Sequence, residues 1–181
     1  MSFATCESPV RKVAFIDIEN LCGTSSPTQQ ECEEVRVFCT EHIGLDRTMV
    51  VGACSHYAAR HASFAWPTAR WLWRSGRDGA DAALLDEIRD LRNSQRFSHV
   101  IIGSGDGIFA EVVTELAAGN TRVTVVSRRR SLSRSLVRSA AELIVYEDLP
   151  FNSELDAPSS NLAALPKTLR SHTRTTTICG H

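Results

Sequence analysis

The sequence has almost no net charge. Twenty Lys and Arg stand against 21 Asp and Glu, a formal balance of −1 at pH 7. No global field draws in a polyanion, so any such partner must be met by local patches of charge. Long hydrophobic runs are also missing. No stretch approaches the roughly 18 apolar residues of a membrane span, and no membrane association is expected. The opening MSFATCESPVRK lacks the apolar stretch of a secretory signal, so the expected location is cytoplasmic. The six cysteines, Cys6, Cys22, Cys32, Cys39, Cys54 and Cys179, form no C-x-x-C pair and read as reduced thiols. Cys39 and His42 have zinc-ligand identities, but a pair on one helix turn explains their spacing more simply. A phosphate-binding loop is absent, since GSGDG at 103–107 lacks the lysine it needs. There is no Ser/His/Asp spacing and no internal repeat.

What is present suits one domain. The chain has 181 residues, of which 43% are hydrophobic, enough for a core of ordinary size. Short apolar runs at 13–18, 47–55, 69–76, 98–105, 121–127 and 142–147 read as strands. Between them, 28–42, 56–65, 80–93, 107–120 and about 133–140 read as helices, with Gly119 and Asn120 closing the fourth. Strands alternating with helices, and strands apolar on both sides, belong to an α/β fold with a mainly parallel sheet covered on both faces. After Pro150 the sequence turns polar and rich in Ser and Thr, so 151–181 reads as a flexible C-terminal tail.

Ligands in such a sheet bind beyond the carboxyl ends of the strands. Three aspartates fall there: Asp17 at the end of VAFID, Asp81 in the first turn after the third strand, and Asp106 after VIIGSG. Asp17 also interrupts the run between Ile16 and Ile18, where burying an unpaired carboxylate is costly. Two bare carboxylates about 4 Å apart repel by roughly 4 kcal/mol at an effective dielectric near 20. Such a cluster needs a cation or protons. Oxygen ligands without His or Cys suit a hard ion, Mg²⁺ or Mn²⁺, which can activate a water against a phosphate ester. Asp78 precedes the helix and reads as its N-cap. Asp86 lies about 140° round the helix from Asp81 and reaches the rim only from the side. For Asp81 the competing role is compensation of the helix dipole, and for Asp106 plain capping.

IDIENL (16–21), GRDGADAALLDEI (76–88) and IIGSGDGIF (101–109) resemble, in order and spacing, the three signature segments of the NYN domain. These are PIN-like nucleases of the LabA/DUF88 kind, and the resemblance covers about 11–148. It implies a Rossmann-like three-layer α/β/α fold with strand order 3-2-1-4-5, and a metal-dependent ribonuclease whose acidic cluster holds Mg²⁺ or Mn²⁺. By matching positions, Asp17, Asn20, Asp81 and Asp106 correspond to catalytic residues, and Asp17, Asp81 and Asp106 to metal ligands. Asp86 matches a candidate additional acid. The family commonly reads SGD-x-D-F at its third segment, and here Ile108 replaces the second acid.

The expected partner is RNA, single-stranded or structured, and a homodimer remains open. Arg128, Arg129 and Arg130 follow the fifth strand, and Arg70, Arg74 and Arg77 flank the end of the third. Arg77 and Arg128 to Arg130 are therefore the candidate phosphate-binding residues. Arg134 and Arg138 read equally well as a solvated helix face. Trp66, Trp71 and Trp73 offer stacking surfaces for bases, or else pack beneath a helix. His56 and His61 read as helix-surface residues. The competing function is a catalytically weakened module that binds RNA or a protein. A small phosphatase is a third reading.

Overall fold

The computed structural model describes residues 10–94 and 96–147. The polar stretch 151–181 lies outside the described residues, as do Cys6 and Cys179. Six strands form one sheet: β1 (Lys12–Asp17), β2 (Met49–Cys54), β3 (Arg70–Trp73), β4 (His99–Gly103), β5 (Arg122–Arg128) and β6 (Glu142–Tyr146). Every pairing is parallel and the order is β3-β2-β1-β4-β5-β6. The expected order 3-2-1-4-5 is thus present, with β6 added at one edge.

Helices cover both faces. On one lie α1 (Ile18–Cys22), α2 (Gln29–Ile43) and α3 (Ala59–Ala65), packed with Ala14, Ile16 and Cys54 of the sheet. On the other lie α4 (Gly79–Ser94), α5 (Ala110–Ala118) and α6 (Arg134–Ser139), packed with Val13, Phe15 and Ala53. α2 shows why these residues form a helix. Thr28 and Glu31 close a reciprocal capping box at its start, and Gly44, at φ 69°, ends it in the left-handed conformation. Among the described residues no helix is long and apolar enough to cross a membrane.

Several local expectations are corrected. Ile18 does not continue β1. The strand stops at Asp17, whose Oδ1 accepts from the Asn20 amide (3.1 Å) and so caps α1, a short helix that the run of apolar residues conceals. β3 ends at Trp73, before Gly76 at φ 111° turns the chain. The fourth expected helix opens with a 3-10 turn, Gly107–Phe109, ahead of α5. Asp78 directly precedes α4 and its carbonyl accepts from the Ala82 amide (2.9 Å), as at a cap position. Its φ of 55° is left-handed, whereas a capping residue typically adopts extended backbone. Cys39 and His42 are the helix pair expected, both on α2: Cys39 is sealed in the core, and His42 bonds the Phe38 carbonyl (3.1 Å) and stacks on the Phe38 ring.

The chain runs from β1 outward to β3, then returns to lay β4 against the other side of β1. The crevice opened by that reversal lies beyond the ends of β1 and β4, at Asp17 and Gly103.

Candidate functional site

Alternation along β1 decides where Asp17 points. Val13 and Phe15 belong to the α4 side of the sheet, and Asp17 shares their parity. Its carboxyl therefore leaves the strand end toward the first turn of α4, which carries Asp81. The two meet there. Asp17 is 5% exposed and Asp81 half-buried. Burial first, then the neighbouring Asp81 charge, push the Asp17 carboxyl from its ordinary 3.8 up to about 8. Burial also raises Asp81, and the nearby charges of Asp106, Asp78 and Glu19 add to this. Asp81 Oδ1 is sealed from solvent and meets no donor. Its neighbour is the Asp17 carboxyl, and two carboxyls can bond only by sharing a proton.

Gly79 lets α4 begin close enough for this meeting. A Cβ there would fall 2.5 Å from the Arg74 carbonyl oxygen. The pair opens into a cavity of about 380 Å³ whose lining includes Asp17, Glu19, Asn20, Ser55, Arg74 and Asp81. Glu19 was not anticipated. It reaches the cavity because α1 turns the chain just after Asp17, and its Oε1 accepts from the Ser55 hydroxyl (2.6 Å). The signal was available in DIENLCG (17–23): an acid at a strand end, a polar residue three places on, and a glycine to close one turn.

Asn20 also lines the cavity, and its Oδ1 accepts from the Gly105 amide (2.8 Å). It therefore ties α1 to the loop after β4. Ser104, fully buried in that loop, donates toward Asp17 Oδ2 (3.4 Å). Asp106 stands further out. It is exposed, does not line the cavity, and its Oδ1 accepts from the Ile108 amide (3.0 Å), capping the 3-10 turn. Its charge still reaches Asp81. Ile108 is exposed outside the cavity. Asp86 does not join the cluster. It is largely exposed and pairs with Arg74 (3.1 Å), because its place on α4 turns it toward β3.

The arginines divide differently from expectation. Arg128 does not face the acids. Its guanidinium donates to the Cys22 carbonyl (3.0 Å) and fills the space a Cβ at Gly23 would need, bracing the end of α1. Arg129 is exposed and paired with Glu147, Arg130 is exposed, and Arg77 is fully in solvent beside Asp78 (3.7 Å). None of these four lines the cavity; Arg74 does.

Among the described residues, no three His, Cys, Asp or Glu side chains are gathered closely enough to hold a metal ion. The fit for a hard divalent ion is through two carboxylates. Asp17 and Asp81 are all-oxygen donors, crowded enough to retain a proton, and Asp81 Oδ1 is an unused acceptor. An ion that keeps most of its water and takes one or two carboxylates, the habit of Mg²⁺, matches that set.

Comparison with known proteins agrees with the fold. No curated protein matches the chain. A crystal structure of a protein of unknown function from Vibrio parahaemolyticus RIMD 2210633 superposes with a TM-score of 0.53, at 18% identity, over 78% of this chain and 97% of that one. At that identity the likeness is one of fold. The family model for the NYN domain matches residues 12–147, three-quarters of the sequence and all six strands. With the switch-point crevice, the acidic cavity and this match in agreement, the chain belongs to the NYN domain family, a PIN-like nuclease family.

Proposed function

We propose that the protein is a metal-dependent endoribonuclease that hydrolyses RNA phosphodiester bonds at the cavity beyond β1 and β4. One observation carries the reading: buried Asp17 and half-buried Asp81 are held against each other, with an Asp81 oxygen sealed from solvent and lacking any donor. Mutual repulsion of this kind is held at functional sites by arrangement of the surrounding fold. Asp17 and Asp81 would hold Mg²⁺ or Mn²⁺, with Asp106 contributing from the rim. Bound there, such an ion neutralises phosphate charge and lowers the pKa of a coordinated water.

The chain's own groups do the rest. Ser55 fixes Glu19 so that a further carboxylate faces the cavity. Asn20 and Ser104 hold the β4 loop against α1, which keeps the Asp17 oxygens oriented. Arg74 lines the wall, and its guanidinium pairs with Asp86. That pairing is solvent-exposed and hence weak, so it can be exchanged for an RNA phosphate. Cleavage of single-stranded and structured RNA with Mn²⁺, and again with EDTA, tests the reading. Asp17→Asn and Asp81→Asn are each expected to lose about 100-fold or more in rate. Metal-independent cutting, or variants as active as the wild type, would overturn it.

A second reading has its own observation. Asp106 is engaged with the Ile108 amide and stands outside the cavity, and Ile108 occupies the position of an acid. That favours a weakened nuclease retained as an RNA- or protein-binding module. RNA binding without cleavage in either metal would select it.

A further inference from the structure

The three tryptophans separate sharply. Trp66 is buried, and Trp71 donates its indole N–H to the Trp66 carbonyl (3.1 Å) while its ring covers Gly52. Those two are core. Trp73 is 55% exposed on β3, the edge strand of the sheet. Two residues beyond Trp71, it leaves the same face of the strand, the face that α3 covers. Tyr57, 84% exposed, lies in the segment leading into α3. The loops bearing them are fastened together: the His56 amide and Nδ1 both meet Ser75 Oγ (3.0 and 2.8 Å), and the Arg74 amide bonds the Cys54 carbonyl (3.1 Å). Each aromatic is close in the chain to a residue that lines the acidic cavity, Tyr57 two places after Ser55 and Trp73 immediately before Arg74.

A single exposed apolar side chain is ordinary, but two large exposed rings on segments tied to each other are the kind of grouping that marks a binding surface. Arg74, next to Trp73 in the chain, has an exposed and exchangeable pairing with Asp86, and Arg77 lies in solvent beside Asp78, which lines the same cavity. Flat apolar rings beside a phosphate-binding cation match a nucleic acid strand whose bases are unpaired, since a duplex hides its base faces. We propose that Trp73 and Tyr57 form a stacking platform for one or two unpaired bases flanking the bond presented to the cavity. This rests on the nuclease reading and narrows its substrate to single-stranded RNA.

The test is binding of the full-length protein in EDTA, where no metal-dependent cutting occurs, to a short uridine RNA, an abasic strand of equal length, and duplex RNA. Uridine RNA is expected to bind best and to quench tryptophan fluorescence, because Trp73 is the exposed indole. Trp73→Ala should weaken that binding by about tenfold, Trp73→Phe should retain most of it, and Tyr57→Ala should weaken it less. Neither Ala variant should alter binding of the abasic strand. Equal affinity of the wild type for uridine and abasic strands, or no effect of Trp73→Ala and Tyr57→Ala, overturns the platform. So does a wild-type dimer that Trp73→Ala converts to monomer, since the rings then belong to a protein contact. A protein that cuts but ignores Trp73 removes the platform alone. One that binds through Trp73 but never cuts removes the enzyme alone.

Discussion

Asp17 shows how much one side chain can carry. One oxygen caps α1, the other receives Ser104, and the whole group lies against Asp81. Glu19 adds charge to the same cavity without being buried, so its replacement separates charge from structure. Glu19→Gln keeps an acceptor for Ser55 and removes the charge. The expected result is an unchanged melting temperature with a rate lowered by about tenfold and weaker use of Mn²⁺. The arginines give a second separation. Arg74→Ala should reduce the salt dependence of RNA binding by about one phosphate contact. Arg128→Ala should leave that slope alone. It should instead cost about 1–2 kcal/mol through the lost bond to Cys22, lowering the melting temperature by about 2–6 °C. Salt titrations by anisotropy and thermal melts check both. An Arg128 variant with a flattened slope would return it to the RNA-binding surface.

At the scale of elements, the start of α4 is the sensitive joint. Gly79 lies against the Arg74 carbonyl, and Asp78 before it is held at positive φ. Gly79→Ala must displace backbone rather than a flexible side chain. It is expected to lower stability by about 1–3 kcal/mol and to move Asp81, so activity should fall further than the melt suggests. Full activity in a destabilised variant would show that Asp81 is not positioned this way. The joint also marks where sequence reading stopped. The alternation of strands and helices was legible because apolar runs and the Gly119–Asn120 close are local signals. The strand-end positions of Asp17, Asp81 and Asp106 followed from that alternation. What was not legible depended on direction and distance. Ile18 is as apolar in a helix as in a strand, so α1, and with it Glu19, stayed hidden. Asp106 sits at the expected strand end yet turns to the Ile108 amide. Arg128 follows β5 as expected, but α1 packs where its guanidinium could otherwise have reached the acids.

For the molecule as a whole, the acid pair couples stability to pH and, on the proposed function, to metal. Asp17 titrates near 3.8 when unfolded and near 8 in the folded, metal-free protein. Between those limits the folded state holds a proton that the unfolded chain has released, so stability falls as pH rises. The contribution of the neutral carboxyl is complete below about pH 4 and is lost by the time pH has risen through about 8. Asp17→Asn keeps the cap, since Asn caps helices as well as Asp, and removes the titration. The metal-free variant should therefore match the wild type at about pH 4 and melt higher, by a few degrees, at about pH 8. Metal reverses the order. Carboxylates bind Mg²⁺ only once deprotonated, so binding releases protons, and the rise in melting temperature should be larger at about pH 8 than at about pH 5. Proton release should be visible by calorimetry in buffers of different ionisation enthalpy. Melting temperatures of wild type and Asp17→Asn that run parallel across this range would mean the two carboxyls do not share a proton. The charge crowding on which the proposed metal site rests would then be absent.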